Sequence, residues 1–596
     1  MRFLTAISLC LAAACGQVDG DEEAAQEEAS TSAAPAGDGE WFIAAANPYA
    51  VEAGAEILRK GGSAVDAAVA TLSVLGLVEP QSSGLGGGAF MLHYDPAGRT
   101  LISYDGRETA PASATPDRFL MDDGEPMKFY DAVAGGLSVG VPGVVRMLEV
   151  AHQDYGVLPW NELFEPAIAL SERGFSVSPR LNGLLARFPR LKKTPEAADY
   201  FYGADGEPRP VGYVLKNPDY AQTLQTIRDG GADAFYTGAI ADAIVEAVNN
   251  APNPGGMTLE DLKTYTPVKR EPVCGFYRTY QICSMAPPSS GGVTTLQILS
   301  MLEPFDLRAA GAGSIEALHL ITEASKLAYA DRRQYLADND MAAASGGLTQ
   351  DQVIAGLMNP PYLAARASLI NTQQAASDVV HGDPSQYQTT QGSGRWRNLA
   401  ADASPEPPST THFTIVDAAG RVVSMTATVE FAFGSHQMAA GFILNNQLTD
   451  FSFLPERDGV PVANAVAPGK RPRSSMAPAI VFDKNGDVWA ALGSPGGPAI
   501  IGYVVKTLIA MMDWGLETQE AIDYPNIVAP RGGVILETDG FDSQIIAGLT
   551  NLGHDVNTRD LTSGVHAFRL TPDGDYDGGA DKRREGTFLT GTVGDK

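Results

Sequence analysis

Basic residues are scarce in this chain. Its 596 residues include 42 Lys and Arg against 71 Asp and Glu, a formal net charge of -29. That balance excludes sequence-independent binding to nucleic acid, where Lys and Arg must neutralise phosphates. The acidity suits the solubility of an exported protein and says nothing about substrate. Cysteines are equally scarce, four in all, and none has a second Cys/His pair nearby at zinc-site spacing. Long internal apolar runs are missing too: Ala499 to Met512 is too short to cross a bilayer and contains Lys506. The glycine run Gly84-Leu85-Gly86-Gly87-Gly88 lacks the dinucleotide spacing and leads into the strand-like Phe90-Met91-Leu92-His93-Tyr94. We read it as close backbone approach between layers. Neither a cofactor nor a metal is expected.

There is ample material for a core, with 44% apolar and 19% charged residues. Met1-Arg2, the apolar run Phe3 to Ala14 and the small residues before Cys15 read as a secretory signal over 1–15. Ala13-Ala14-Cys15 also resembles a bacterial lipobox, which would lipidate Cys15; a plain signal cut at a nearby Ala is the alternative. Residues 16–40, rich in Asp, Glu, Ala and Ser, read as a disordered acidic tether. Export to a bacterial periplasm follows, with membrane contact only through that anchor. In such a compartment Cys274 and Cys283 either form a disulfide or stay as two buried thiols.

The folded part is expected to begin near Trp41. Asn47 caps a helix opened by Pro48, and Gly61-Gly62 ends it. A more apolar, buried helix is expected from about Ser63 to Leu77. Residues 115–270 read as mostly helical, and a long helix follows Ser314 to about Leu336. Residues 370–409 carry no regular pattern and read as a mobile, cleavable segment. Beyond them the character is β: a hairpin over Thr411–Val429, then a second over Ala479–Leu492 turning at Asn485-Gly486.

Thr410-Thr411-His412 lies where the polar stretch Ser404-Pro405-Glu406-Pro407-Pro408-Ser409 meets that first strand. A cut there would create a threonine at a new N-terminus, carrying both a nucleophile and, in its own α-amine, a base. Such an amine titrates near pH 8 (about 7.7–8.0), close to what neutral-pH base catalysis needs. Gly493-Ser494-Pro495-Gly496-Gly497-Pro498 joins a strand to an apolar helix, and free backbone N–H groups at such a turn can stabilise an oxyanion.

Nine segments in order resemble the γ-glutamyltranspeptidases, N-terminal-nucleophile amidohydrolases. They are Gly61–Ala68, Gly84–Gly88, Arg107–Pro111, Pro287–Gly292, Ala328–Arg332, Thr410–His412, Leu444–Gln447, Arg471–Met476 and Gly493–Gly497. The resemblance covers about residues 41–590. It implies an α+β fold, an αββα sandwich of two packed antiparallel sheets. It implies a precursor that cuts itself between Ser409 and Thr410 into a large subunit ending at 409 and a small catalytic subunit, 410–596, that stay together. Thr410, not Thr411, matches the nucleophile. It would attack γ-glutamyl amides such as glutathione, and the acyl group would pass to water or to an acceptor amino acid or peptide. By the same match Gly496 and Gly497 supply oxyanion N–H groups and Thr428 orients Thr410. Arg107, Ser474 and Ser475 grip the substrate α-carboxylate, and Asp450 and Gln447 take its α-ammonium.

Glu430 departs from the family's usual Asn. On a strand it should face the same side as Thr428, adding a second carboxylate beside Asp450 and putting substrate preference in question. The stretch between Phe451 and Asn464 looks short for a pocket lid and suggests a more open site. The rival readings are a cephalosporin or glutaryl acylase on the same scaffold, and an uncut, non-catalytic envelope binding protein.

Overall fold

A computed structural model of the chain describes residues 39–339, 341, 347–387, 396–405, 407 and 409–595. The signal over 1–15 with Cys15, and the tether except for Gly39 and Glu40, lie outside the described residues. Glu40, assigned to the tether from sequence, belongs to the first strand.

Thirteen strands build two sheets. We number them β1 (Glu40–Ala45), β2 (Gly88–Asp95), β3 (Thr100–Gly106), β4 (Val268–Arg270), β5 (Val273–Tyr277), β6 (Tyr280–Ser284), β7 (Thr411–Val416), β8 (Val422–Thr428), β9 (Ala479–Phe482), β10 (Val488–Gly493), β11 (His566–Leu570), β12 (Tyr576–Ala580) and β13 (Thr587–Thr592). The first sheet runs β13-β1-β7-β8-β2-β3-β4 and the second β12-β11-β10-β9-β6-β5. Every neighbouring pair in both is antiparallel.

Strand alternation divides the core into three layers. Along β1, Ile43 and Ala45 face an outer layer while Phe42 and Ala44 face the second sheet, where they meet Leu92, Val416, Ile480 and Phe568. The outer layer over the first sheet includes helices α1 (Pro48–Arg59) and α2 (Ala64–Val78). The second sheet is covered by α3 (Gly291–Leu302), α4 (Ile315–Tyr335) and α5 (Ala499–Met512). This is the expected αββα sandwich. The helix starts are set by local chemistry: the Asn47 side chain accepts from the Tyr49 N–H, Ser63 and Asp66 form a capping box, and Ser314 caps α4.

Two features position the site. The central strands β7 and β8 follow Thr410, yet they are flanked by β1 and β2 from the other side of that residue. A cut before Thr410 would therefore leave two pieces sharing one sheet and one core. The glycine run performs the close approach expected of it: a Cβ on Gly87 would lie 2.0 Å from the Thr428 carbonyl oxygen. Cys274 and Cys283 sit opposite each other across the β5–β6 hairpin and form a disulfide. Among the described residues no helix is long and apolar enough to cross a membrane.

Candidate active site

Thr410 immediately precedes β7, and Thr428 ends the neighbouring β8, so the hairpin brings the two hydroxyls together: Oγ1 to Oγ1 is 3.1 Å. Thr428 Oγ1 also accepts from the Glu430 N–H at 2.8 Å, which fixes where its own proton and remaining lone pair point. Thr410 adopts φ +92°. A β-branched residue seldom tolerates that region, and such outliers cost about 1–3 kcal/mol each. That strained residue supplies the nitrogen of the bond expected to break. Around it, the Ser409 carbonyl oxygen accepts from the Gly496 N–H at 3.0 Å, and the Ser409 hydroxyl donates to the Gln81 carbonyl at 2.9 Å. Arg584 donates to the Thr410 carbonyl at 2.7 Å.

The donor turn is built as the sequence implied. Strand β10 ends at Gly493, Gly496 and Gly497 take φ +138° and +57°, and α5 begins at Ala499. A Cβ on Gly496 would meet the Tyr503 ring at 2.6 Å. Glycine is required there on both counts.

Arg107, Thr410, Thr428, Glu430, Gln447, Asp450, Ser474, Ser475 and Gly497 line a single pocket, joined by Pro407 and Arg473. The Arg107 guanidinium is buried; it donates to Asp450 Oδ2 at 2.5 Å and to the Pro472 and Arg473 carbonyls at 3.1 and 3.0 Å. Gln447 Nε2 donates to the same Asp450 oxygen at 2.7 Å, and Gln447 Oε1 meets no partner. Ser474 Oγ accepts from the Met476 N–H, and Ser475 Oγ accepts from Arg332 at 2.6 Å.

The sequence argument needs two corrections here. Glu430 does reach the pocket, but not by strand alternation: β8 stops at Thr428, and Glu430 turns through φ +76° with its N–H folded back on the Thr428 hydroxyl. Its carboxylate accepts from Asn446 Nδ2. The pocket is also not open in the uncut chain. It encloses only about 30 Å³, because Pro407 forms part of its wall and the Arg107–Asp450 pair closes on itself.

His412 is no base for Thr410. It is fully buried, its ring bonded to Thr426 and Thr414, and burial pushes its pKa well below the ordinary histidine value. Glu108, beside Arg107, is buried with neither carboxylate oxygen hydrogen-bonded, and burial pushes its pKa up to about 8. Elsewhere, His319, Glu323 and His554 come close enough to suggest a metal, but Lys326 sits among them, donating to Glu323 at 2.8 Å and lying 3.2 Å from His554 Nδ1. An ammonium already occupies the place of a cation.

Sequence reasoning assigned no role to Arg584, Arg332, Asn446 or Arg473. Three of them fall inside the segments that carried the family resemblance, so their place was legible although their partners were not. Arg584 lies outside all nine segments.

A family model described as gamma-glutamyltranspeptidase matches residues 50–590. The chain belongs to that family. The glutathione hydrolase proenzyme of Bacillus subtilis (strain 168) is 37% identical over 552 residues, covering 92% of this chain and 91% of that protein. That of Escherichia coli (strain K12) is 36% identical over 556 residues, covering 91% and 90%. Among solved structures, a cephalosporin acylase from Bacillus halodurans superposes with a TM-score of 0.77 at 25% identity, covering 95% and 98%. The γ-glutamyltranspeptidase family and the acylase thus share this scaffold, and the pocket side chains must discriminate between their chemistries.

Proposed function

We propose that the chain is a self-cleaving γ-glutamyltranspeptidase with glutathione hydrolase activity, acting through Thr410. In the first stage Thr410 Oγ1 attacks the Ser409 carbonyl carbon, whose oxygen already rests on the Gly496 N–H. The C–N bond breaks, the nitrogen takes up the hydroxyl proton, and an ester links Ser409 to Thr410 Oγ1. Water hydrolyses that ester, leaving a carboxylate on Ser409 and a free amine on Thr410. The products are a large subunit ending at 409 and a small subunit of 410–596, held by their shared sheet. Loss of the strained φ at Thr410 favours the cut.

In turnover the freed amine accepts the proton of Thr410 Oγ1 as that oxygen attacks the γ-carbonyl of the donor. The Gly496 and Gly497 N–H groups stabilise the oxyanion. The amine returns the proton to the departing nitrogen, leaving a γ-glutamyl ester that water or an acceptor amine resolves. Thr428 orients the nucleophile throughout. Arg107, Ser474 and Ser475 receive the α-carboxylate, while Asp450, Gln447 Oε1 and Glu430 receive the α-ammonium. Export through the 1–15 signal, with lipidation at Cys15, belongs to the same proposal.

The observation that carries this reading is the Arg107–Asp450 pair in the nucleophile's own pocket. A bound amino-acid head group would exchange one internal ion pair for two, carboxylate to Arg107 and ammonium to Asp450. A glutaryl group has no ammonium to offer Asp450. Turnover of γ-glutamyl-p-nitroanilide against glutaryl-p-nitroanilide tests it: the γ-glutamyl compound should be preferred by at least about tenfold in kcat/KM, as one charge-assisted contact is worth. Equal rates, or preference for glutaryl, point to the acylase.

A further inference from the structure

Upstream of Ser409, the stretch 400–404 is held by contacts that do not touch the scissile bond. The Ala400 N–H donates to the Pro461 carbonyl at 2.8 Å, and the Asp402 N–H to the Arg333 carbonyl at 3.0 Å. The Ser404 carbonyl accepts from Arg531 at 2.8 Å, and the Ser404 hydroxyl from the Phe453 N–H at 3.3 Å. Arg333 apart, these partners lie beyond Thr410, so the contacts would bridge the two pieces after a cut.

Asp402 is the centre of this stretch. It is buried; Oδ2 accepts from Arg473 at 2.9 Å and from Asn464 Nδ2 at 3.0 Å, and Oδ1 from the Ser404 N–H at 2.9 Å. Both side-chain partners bear on the charged end of the nucleophile's pocket. Asn464 Nδ2 also donates to the Asp450 backbone carbonyl at 2.7 Å, and the Arg473 carbonyl accepts from Arg107 at 3.0 Å. One carboxylate thus stands behind both members of the Arg107–Asp450 pair. Asn464 is fixed in turn: its Oδ1 accepts from the Arg473 N–H at 3.0 Å and its carbonyl from the Ser452 N–H at 2.8 Å. Lys470 donates to the carbonyls on either side of it, Ala463 at 2.6 Å and Ala465 at 2.9 Å. Such a buried, well-satisfied network is rigid, and removing one charge from it is felt by the rest.

We infer, resting on the proposed function, that Asp402 is a positioning residue of the processed enzyme, supplied by the large subunit to hold Arg107 and Asp450 opposite each other at the head-group end of the pocket. It touches no substrate and acts through Asn464 and Arg473. The stretch 400–404 stays docked after the cut, whereas Pro407, nearer the new chain end, is free to leave the pocket it helps to close. Cleavage thereby opens the site without loosening its charged end.

Turnover of γ-glutamyl-p-nitroanilide and glutaryl-p-nitroanilide by processed Asp402→Asn tests this. The substitution keeps the side chain's shape and removes the charge that holds Arg473. The γ-glutamyl-to-glutaryl ratio of kcat/KM should fall by roughly tenfold, carried by the γ-glutamyl KM rather than kcat. A merely structural role would lower both rates alike; an unchanged ratio therefore overturns the inference. In an Asp450→Asn background the same substitution should change the ratio no further, and an undiminished second loss also overturns it. If Asp402→Asn does not process, amide exchange in the processed parent decides. The Ala400 and Asp402 N–H groups should be protected there, and exchange as fast as in an unfolded chain would refute the docked stretch. A parent with no γ-glutamyl preference would instead count against the proposed function.

Discussion

The two walls of the pocket are built on different physical terms. The wall around Thr410 is neutral: two hydroxyls, two glycine N–H groups and a peptide carbonyl, fixed by adjacent strands and by a turn that only glycine can make. The opposite wall is charged: Arg107 pairs with Asp450, which also accepts from Gln447, and Glu430 accepts from Asn446. The neutral wall is in place before the chain is cut, because its geometry comes from backbone. The charged wall is closed on itself through the Arg107–Asp450 pair, and on the proposed function a ligand bearing both charges would replace that pair. On the proposed function, reaction chemistry resides in the first and selectivity in the second.

Substitutions on each wall should therefore fail in different ways. The largest effect is expected from Thr410→Ala, which removes the nucleophile of both stages: a denaturing gel should show one full-length band, and turnover should be absent. A processed Thr410→Ala protein would mean that another group or protease makes the cut. Next comes Gly496→Ala, which adds a Cβ against Tyr503 at a φ that suits only glycine. Loss of an oxyanion donor costs about 10²–10³ in kcat, and processing should slow in parallel because the same N–H holds the Ser409 carbonyl.

On the charged wall the loss should appear mainly in KM. Arg107→Lys keeps the charge but loses the fork and the carbonyl contacts, with an expected fall in kcat/KM of about 10- to 100-fold and normal processing. Glu430→Gln should raise the donor KM only a few-fold, roughly 1 kcal/mol or less, because Asp450 remains. An equal loss of kcat in both variants would erase the distinction between the walls.

The smallest effect concerns stability. Burial raises the Glu108 pKa to about 8 from its ordinary value of 4.5, so the folded chain holds this proton between those values while the unfolded chain has lost it. Its contribution is fully present below about pH 4.5 and is lost as pH rises through 8. The thermal midpoint of Glu108→Gln should accordingly decline less steeply between pH 5 and 9 than that of the parent.

Much of the fold was legible because its signals are local. Asn47, Ser63 and Ser314 start helices where their side chains cap them, and the Asn485-Gly486 turn joins β9 to β10. The residues that line the pocket were legible as a set, through motifs in a fixed order. What the sequence does not carry is pairing across hundreds of positions. Nothing in the spacing from 107 to 450 says that those side chains bond to each other, or that Arg584 reaches Thr410 from the far end of the chain. Glu430 shows the limit most clearly: a strand rule placed it on the correct side for the wrong reason, since a left-handed turn brings it there.

The central claim is that the bond between Ser409 and Thr410 breaks to expose the nucleophile. N-terminal sequencing of the small fragment, on protein assayed in parallel with γ-glutamyl-p-nitroanilide, tests it most directly. The account predicts a fragment beginning Thr410-Thr411-His412 and turnover in proportion to its abundance. Turnover by the uncut chain, or an active fragment beginning at any other residue, would contradict it.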